Sequence, residues 1–563
     1  MTELDKVFSP GVVEKRWYDH WQEKGYFHAE PDSGKQPYTI VIPPPNVTGI
    51  LTMGHVLNNT IQDVLIRKAR MEGFEACWVP GTDHASIATE SKVMKMLQEK
   101  NIDKDTLTRE EFLKHSWNWK EKYGGIIIQQ LKKLGCSCDW EREKFTMDDG
   151  YSRAVMEAFV RLHKKGLVYR GYRLVNWCPV SQSAISDEEV KHKEVQGYLW
   201  TISYPFKNKN GALEVATTRP ETMLGDSAVA VHPQDDRYRK YIGQKIELPL
   251  TGRIIPIIGD EFVDPDFGTG CIKVTPAHDP NDFEIGKRHN LDFINIMNPD
   301  ASLNNDVPEK FKGLTREDAR EQVIEDLKNC KLITNEESYT HSVGFSERGN
   351  VPIEFYLSEQ WYLKMKSLAE PAITAVKDGD IKFHPSYWVK TYDHWIQNIK
   401  DWCISRQLWW GHRIPVWYKK GEDSSLQENI HVSVDGPKDP ENWEQDKDVL
   451  DTWASSWIWP FGVHDWPEDS NDLNSFYPTN ALVTGPDIIF FWVARMIMAG
   501  IEFMEDIPFK DVYFTSILRD EKGRKLSKSL GNSPDPLDLI KQYGADAVRF
   551  SILLISPQGM DVL

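Results

Sequence analysis

A strand, a glycine-bearing turn and a helix follow one another near the start of the chain, and this order constrains the fold more than any other feature. The apolar run 38–42 is typical of a buried strand, and the stretch 54–71 has the periodicity of a helix. Between them lies the turn sequence PPPNVTGILTM. A helix that begins directly after such a turn places backbone N–H groups where they can hold a phosphate.

Strand-like and helix-like patterns alternate up to about residue 172 and return after about residue 360. From 197 to 344 the pattern changes, because short β-branched runs such as 228–231 and 271–274 are separated by Gly, Pro and Asp. The sequence therefore predicts an α/β nucleotide-binding domain that is interrupted by a β-rich insert.

A second short segment, KLSKS at 525–529, supplies two lysines and two hydroxyls on a loop opened by Gly523. Lys525 and Lys528 are suited to neutralise the charge that develops on a leaving polyphosphate. A lone pair of lysines at this spacing carries little information, but the whole stretch 520–532 (DEKGRKLSKSLGN) is much more specific.

The two segments resemble the HIGH and KMSKS signatures of class I aminoacyl-tRNA synthetases. The resemblance implies a class I Rossmann-type catalytic domain that uses ATP with Mg²⁺ to form an aminoacyl-adenylate. His55 matches the second signature histidine, whereas Thr52 stands where the first is usual, so His55 is expected to carry that function. The catalytic residues implied are His55, Lys525, Lys528 and Thr52, and the ATP-binding residues are Gly54, His55, Lys525, Ser527 and Lys528.

The segment 81–89 (GTDHASIAT) resembles the valine-specific branch of this family, which implies valine and tRNA(Val) as substrates. The isoleucine- and leucine-specific branches remain an alternative that this segment opposes. Asp83 is expected to hold the substrate ammonium group, and Ile488 is equally compatible with plain core packing. The amino-acid-binding residues implied by the resemblance are Pro44, Asn46, Asp83, Trp453, Ile488 and Trp492.

The β-rich insert resembles the hydrolytic editing domain of the same branch, in the segments 217–222 and 273–282. An apolar pocket shaped for valine cannot strongly reject the isosteric threonine, and valine-specific synthetases are themselves the standard example of this problem. The same residues are also compatible with polar turns. The pattern HDxxD at 278–282 is also compatible with metal ligands. The editing residues implied are Thr217, Thr218, Arg219, Lys273, Thr275, Asp279 and Asp282.

The resemblance covers essentially the whole sequence and implies four consecutive regions. They are 1–196, the first part of the catalytic domain; 197–344, the inserted editing domain; 345–534, the second part of the catalytic domain; and 535–563, the start of a helical stem-contact region. Family members continue with an anticodon-binding domain, so the sequence is expected to be truncated before it.

Composition narrows the class of protein without identifying the substrate. The net charge of −18 argues against a nucleic-acid-binding surface over the whole molecule, although an acidic protein can still carry a local basic channel. Seven cysteines without a paired framework favour the reducing cytoplasm. We expect a cytoplasmic monomer without a signal peptide, and the apolar stretch 488–504 is expected to be a buried helix and not a membrane span.

Structural zinc is not expected, because the usual cysteine pairs are incomplete. Serine replaces the second cysteine at Ser181, which follows Cys178, and at Ser346. Cys136 and Cys138 are separated by one residue, whereas zinc knuckles use two to four.

A further alternative for the whole chain is a paralogue that binds nucleotide or hydrolyses misacylated tRNA without ligation. Thr52 favours this alternative, whereas the intact residues Lys525, Lys528, His55 and Asp83 oppose it.

Overall fold

The computed structural model describes residues 9–424, 426–526 and 530–562, and the chain forms two compact units. The first unit is Met1–Tyr169 with Tyr362–Leu563, and the second unit is Arg170–Trp361. The predicted insert, 197–344, lies wholly within the second unit.

The helices of the described residues are distributed over both units. They are α1 Pro10–Glu23, α2 Met53–Met71, α3 Ser86–Glu99, α4 Arg109–Leu134, α5 Asp149–Lys164, α6 Pro280–His289, α7 Arg316–Asn329, α8 Lys366–Lys377, α9 Trp388–Gln397, α10 Thr452–Ser456, α11 Trp459–Gly462, α12 Asn471–Phe476, α13 Ala494–Met504, α14 Pro536–Tyr543 and α15 Ala545–Ile555.

The strands are short in the first unit and longer in the second. They are β1 Pro37–Val41, β2 Glu75–Val79, β3 Gly81–Thr82, β4 Lys144–Phe145, β5 Val168–Cys178, β6 Ser183–Ile185, β7 Val190–Pro205, β8 Ala212–Thr217, β9 Ala228–Val231, β10 Lys245–Glu247, β11 Ile254–Gly259, β12 Cys271–Val274, β13 Ile333–Ser346, β14 Glu354–Leu363, β15 Lys382–His384, β16 Trp402–Cys403, β17 Ser405–Arg406, β18 Val416–Lys419, β19 Ile430–Val432, β20 Trp443–Gln445, β21 Val449–Leu450, β22 Thr479–Thr484 and β23 Phe509–Phe514.

A five-stranded parallel sheet forms the centre of the first unit, with the order β15-β23-β22-β1-β2. Its central strands are apolar on both faces, as helices on each side require. The chain moves outward in one direction from β1 to β2 and in the other from β22 to β23. The carboxyl ends of β1 and β22 therefore mark the topological switch point, where parallel α/β sheets bind ligands.

The second unit is built mainly from antiparallel strands around its own apolar core, so the predicted β-rich texture is confirmed. One sheet has the order β10-β11-β9-β12, and another has the order β13-β7-β8. Strands β7 and β13 pair along almost their whole length, from Ile202 opposite Ile333 to Val190 opposite Ser346. Val215, Val229 and other aliphatic side chains from both sheets are fully buried in one cluster.

Two regions predicted to be helical are interrupted. The helical region predicted from residue 535 onward contains two helices, α14 and α15, because Gly544 adopts a φ of 87° between them. The buried helix predicted over 488–504 begins with a 3₁₀ turn and a π turn before α13. The stretch 421–446 contributes β19 and β20 to an antiparallel sheet with β18.

In the described part of the chain, helices long enough to cross a bilayer lack the necessary apolar character.

Candidate active site

The signature turn joins β1 to α2 at the switch point of the parallel sheet. Thr52 is the residue that caps the amino end of α2, and Nδ1 of His55 accepts a hydrogen bond of 3.1 Å from the Thr52 backbone N–H. The Thr52 hydroxyl lies 2.9 Å from the same nitrogen. Because a backbone N–H can only donate, the proton of the neutral imidazole is on Nε2. Thr52 therefore orients His55, and Nε2 is the ring nitrogen that carries the proton.

Lys525 lies on the loop that follows β23, and its ammonium group is paired with Asp487. Asp487 belongs to the 3₁₀ turn directly after β22, at the same switch point as α2. Asn58 of α2 donates to the carbonyl of Val483 on β22 at 2.9 Å, which fixes the helix to this strand. Lys525 thus lies at the switch point, beside the carboxyl end of β22.

The Asp520 carboxylate organises the loop around Lys525. It accepts hydrogen bonds from the backbone N–H groups of Lys522 and Arg524 and from the Asn532 side chain, at 2.9–3.0 Å. Asn532 also reaches the carbonyl of Lys525 at 3.3 Å. The two other predicted loop residues, Ser527 and Lys528, lie outside the described residues.

Two main-chain hydrogen bonds hold the signature turn against the segment that carries Asp83. Val47 N–H donates to the Asp83 carbonyl at 3.1 Å, and Asp83 N–H donates to the Pro45 carbonyl at 3.0 Å. Asn46 forms the bridge between these two segments, and Pro44 precedes them half-buried. Three of the predicted amino-acid-binding residues, Pro44, Asn46 and Asp83, are therefore neighbours.

The Asp83 carboxylate is buried, with a residue exposure of 4%. One oxygen accepts the Ala85 N–H at 2.6 Å, and the other accepts the Ser456 hydroxyl. Among the described residues, no lysine or arginine lies within ion-pair distance of it. Burial raises the pKa of Asp83 to about 6, against the hydrogen bonds from Ser456 and Ala85, which lower it. A buried carboxylate without a protein cation is suited to a cationic ligand.

The sequence resemblance implies that Asp83 holds the ammonium group of an amino acid. On that hypothesis we expect the KM for the amino acid to rise about tenfold for each pH unit below pH 6, because a protonated Asp83 cannot pair with an ammonium group. Above pH 6 the carboxylate is ionised, so KM should be level. The dependence is measured by ATP–pyrophosphate exchange between pH 5 and pH 8. A KM that stays constant down to pH 5 would contradict this role for Asp83.

Aromatic residues stand beside Asp83 and Ser456. Trp492 is fully buried and donates from Nε1 to the Ser456 carbonyl at 2.9 Å, while Trp453 stacks on Phe491 with ring centroids 5.2 Å apart. Ile488 is half-buried at the end of the 3₁₀ turn. Trp453 thus lies on the same helix as Ser456, α10, whereas Ile488 and Trp492 come from the segment 486–493, which contacts Ser456 through Trp492.

Buried polar groups from other segments are hydrogen-bonded to His84 and Glu90, which follow Asp83 in the chain. His84 shares a hydrogen bond of 2.7 Å with Thr146, and the Trp410 indole donates to the His84 carbonyl at 2.8 Å. Glu90 accepts the backbone N–H groups of Trp409 and Trp410, each at 2.9 Å. Burial lowers the pKa of His84 well below its usual value, so this ring is neutral and structural.

The second unit contains a separate cluster of polar residues around Lys273. Its ammonium group donates to the hydroxyls of Thr222 and Thr275, at 2.8 and 2.5 Å, and reaches Asp226 at 3.4 Å. The Thr275 hydroxyl donates to Asp226 in turn, and so does the hydroxyl of Tyr204. Because a lysine has three N–H donors, Lys273 is saturated within the protein, and its role is to orient the two hydroxyls.

Asp279 and Asp282 supply the oxygens of this cluster that remain available. Asp279 caps α6, with one oxygen accepting the N–H groups of Asn281 and Asp282 at 2.8 and 3.1 Å. Asp282 accepts the Thr275 N–H at 2.8 Å through one oxygen only. In the described chain, the second oxygen of each carboxylate has no hydrogen-bond partner, so the pair can receive an ammonium group and a hydroxyl.

Burial, together with the neighbouring Asp279 charge, raises the pKa of Asp282 to about 7. The ordinary value in an unfolded chain is about 3.9, so the folded state binds the proton more tightly, and stability is lost as the pH rises between these values. Asp282→Asn keeps an oxygen for Thr275 and removes this loss. We expect its stabilisation of the second unit to be larger at pH 8 than at pH 5, by roughly 2–3 kcal/mol, in calorimetric unfolding. Equal stabilisation at both pH values would contradict the assignment.

Thr217 and Arg219 stand at the start of the turn after β8. The Thr217 hydroxyl accepts the Arg219 N–H at 3.0 Å, and Thr218 between them is half-buried. The Arg219 side chain is held by Glu221 and Glu354. The structure therefore gathers Arg219, Lys273 and the other predicted editing residues within one unit.

Sequence reasoning missed several residues of both clusters. Ser456 lies 373 positions from Asp83, and the only local signal was its place four residues after Thr452. Thr222 is the last residue of the quoted segment 217–222 and Asp226 lies four positions after it, so their proximity in sequence was a usable signal. No signal in the sequence pointed to Tyr204 or Glu354.

Among the described residues, no group of three or more His, Cys, Asp and Glu side chains is placed to hold a metal ion. Burial raises the pKa of the Cys136 and Cys138 thiols, so both remain protonated. Cys178 is likewise buried.

The fold and the signature turn define a nucleotide-binding α/β protein, and comparison with known proteins places it in a family. A family described as tRNA synthetases class I (I, L, M and V) matches residues 16–563, and the chain belongs to this family.

Curated relatives of high identity are valine–tRNA ligases. The chain is 54% identical to that of Chlorobaculum tepidum, matching all of this chain and 63% of the relative. It is 53% identical to that of Parabacteroides distasonis, covering 65% of the relative, and 53% identical to that of Carboxydothermus hydrogenoformans, covering 63%. The chain thus spans less than two thirds of the length of these relatives.

Solved structures confirm the class I fold. The leucyl-tRNA synthetase of Agrobacterium radiobacter K84, solved in a ternary complex with tRNA, is 18% identical with a TM-score of 0.56, and the match covers 99% of this chain and 74% of that one. Mycobacterium tuberculosis methionyl-tRNA synthetase, solved with methionyl-adenylate, is 13% identical with a TM-score of 0.51, over 93% and 66% of the two chains.

Proposed function

We propose that the chain activates valine with ATP and transfers it to tRNA(Val), the activity for which its curated relatives are named. The observation that carries this proposal is the buried Asp83 carboxylate, beside which the described residues place no lysine or arginine. The Asp83 main chain is hydrogen-bonded to the signature turn. A valine ammonium group would supply the missing charge. The side chains Trp453, Ile488 and Trp492 would then surround the isopropyl group.

The activation step needs the valine carboxylate to attack the α-phosphorus of ATP, with pyrophosphate leaving. In this proposal His55 donates from Nε2 to the phosphate region, and Lys525 and Lys528 offset charge on the leaving group. ATP enters as its magnesium complex, and the metal offsets phosphate charge when bound. The protein contributes positioning and charge and makes no covalent bond.

The second unit is proposed to hydrolyse threonyl-tRNA(Val). Asp279 would hold the ammonium group of the misattached threonine, and Asp282 would meet its hydroxyl. Lys273 and Thr275 would fix that arrangement. Valine has no hydroxyl and would leave a buried polar group without a partner, which supports discrimination against the correct product.

The proposed setting is a cytoplasmic monomer whose partners are tRNA(Val), valine and ATP with Mg²⁺.

ATP–pyrophosphate exchange with valine, isoleucine, leucine and threonine tests this function. We expect strong exchange with valine and weaker exchange with threonine. Exchange only with isoleucine or leucine would assign a different branch of the family. The absence of exchange with all four would instead favour a paralogue without ligase activity.

A further inference from the structure

Five charged side chains of the second unit form one buried network. The two carboxylates are almost inaccessible, since Glu221 is 0% and Glu354 is 2% exposed. The members come from the turn after β8, from α7 and from β14. They are Arg219, Glu221, Arg316, Arg320 and Glu354.

Arg219 is held by both glutamates at once. Its Nη2 donates to Glu354 at 2.7 Å, and its Nε donates to Glu221 at 3.0 Å. Each glutamate also has an arginine of its own from α7. Arg316 donates to the other oxygen of Glu354 at 2.6 Å, and Arg320 forms two bonds of 2.8 Å with Glu221. Two acceptors on separate atoms fix the plane of the Arg219 guanidinium.

The network contains three guanidinium groups and two buried carboxylates, and Arg316 also pairs at 2.8 Å with Glu317, whose side chain is 64% exposed and whose charge is screened by water. Burial raises the pKa of Glu221, but Arg320 and Arg219 outweigh it and lower the pKa to about 2, so this carboxylate stays ionised. Each buried glutamate is matched by an α7 arginine, which leaves Arg219 without a buried carboxylate of its own. Within the described residues, no acceptor reaches Nη1 of Arg219, and the side chain is 29% exposed.

A chain of hydrogen bonds joins Arg219 to the Lys273 cluster. The Thr222 hydroxyl donates to the Arg219 carbonyl at 3.0 Å and accepts from Lys273 at 2.8 Å. The main chain of Arg219 is therefore linked through Thr222 to the group of residues that would hold a misattached threonine.

We propose that Glu354 is a positioning residue for Arg219 in the hydrolytic site, and that Arg219 donates from Nη1 to an oxygen of the aminoacyl-nucleotide. Arg316 and Arg320 neutralise the two glutamates, so that the Arg219 charge stays available to this ligand. The inference rests on the proposed editing function of the second unit.

Glu354→Gln tests the inference, because an amide nitrogen cannot accept and one of the two arginines must lose its acceptor. We expect kcat/KM for hydrolysis of threonyl-tRNA(Val) to fall about tenfold. ATP–pyrophosphate exchange with valine should stay unchanged, since the residues proposed for it lie in the first unit. Glu317→Gln is the matched control, because Glu317 pairs with the same Arg316 but is 64% exposed.

A double-mutant cycle separates positioning from a general loss of structure. If Glu354 acts through Arg219, Glu354→Gln should change hydrolysis less than twofold in an Arg219→Ala background, although Arg219→Ala alone is slow. Equal losses with and without Arg219 would overturn the inference. If Glu354→Gln fails to fold, Arg316→Gln provides the same cycle from the other side of the carboxylate.

Hydrolysis of threonyl-tRNA(Val) by the unsubstituted chain distinguishes a failure of this inference from a failure of the proposed function. If the unsubstituted chain does not hydrolyse threonyl-tRNA(Val), the proposed editing function fails. If the unsubstituted chain hydrolyses threonyl-tRNA(Val) and Glu354→Gln does so at the same rate, only the proposed role of Glu354 is contradicted.

Discussion

Asp83→Asn is expected to lower kcat/KM for valine in ATP–pyrophosphate exchange by about 1000-fold, because it removes one partner of a buried charge pair that forms with the substrate. The change is nearly isosteric, and the amide oxygen can still accept the Ala85 N–H, which lies 2.6 Å from Asp83. The loss should appear mainly in the KM for valine, while the KM for ATP stays within about twofold.

Two further variants define what this loss means. Asp446→Asn changes a buried carboxylate that accepts from Tyr418 at 2.8 Å, and it should leave exchange unaltered. Ser456→Ala removes one hydrogen bond to Asp83 and should cost about tenfold. A loss of less than tenfold for Asp83→Asn would contradict its role in holding the ammonium group.

The parallel sheet was predictable because its signals are local. The run 38–42 and the stretch 54–71 match β1 and α2 to within one residue, since apolar periodicity is written in consecutive positions. Gly544 shows the limit of this reasoning. A helical period continues through it in sequence, but its positive φ divides α14 from α15.

The candidate sites were predictable only where a residue belongs to a recognisable segment. Asp83 and Lys273 were found in this way, but what surrounds them was not. The partners Ser456 and Asp226 are brought in by folding, and so is Glu354, which lies 135 positions from Arg219. Whether a lysine has a free donor depends on such partners, so the saturated state of Lys273 could not be inferred from sequence.

Asp279→Asn is expected to lower hydrolysis of threonyl-tRNA(Val) by about 100-fold or more, because it removes the charge proposed to hold the threonine ammonium group. Asparagine is a sharper change here than alanine. The Asp279 side chain caps α6 through bonds to Asn281 and Asp282, and losing a cap costs about 1 kcal/mol of stability. Asparagine caps a helix as well as aspartate does, so the fold of the second unit should be retained.

The measurement is single-turnover hydrolysis of threonyl-tRNA(Val) with enzyme in excess, beside ATP–pyrophosphate exchange with valine. The rate of exchange should remain within about twofold of that of the unsubstituted chain. Asp279 is proposed to contact only the substrate of hydrolysis, so its loss should affect only the transition state of that reaction. Asp264→Asn is the matched control, because Asp264 is an exposed carboxylate of the same unit that accepts a neighbouring backbone N–H at 2.9 Å. If Asp279→Asn still hydrolyses threonyl-tRNA(Val) at the original rate, the proposed role of Asp279 in holding the ammonium group is contradicted. A parallel loss of exchange would instead mean that the change disturbs more than the second unit.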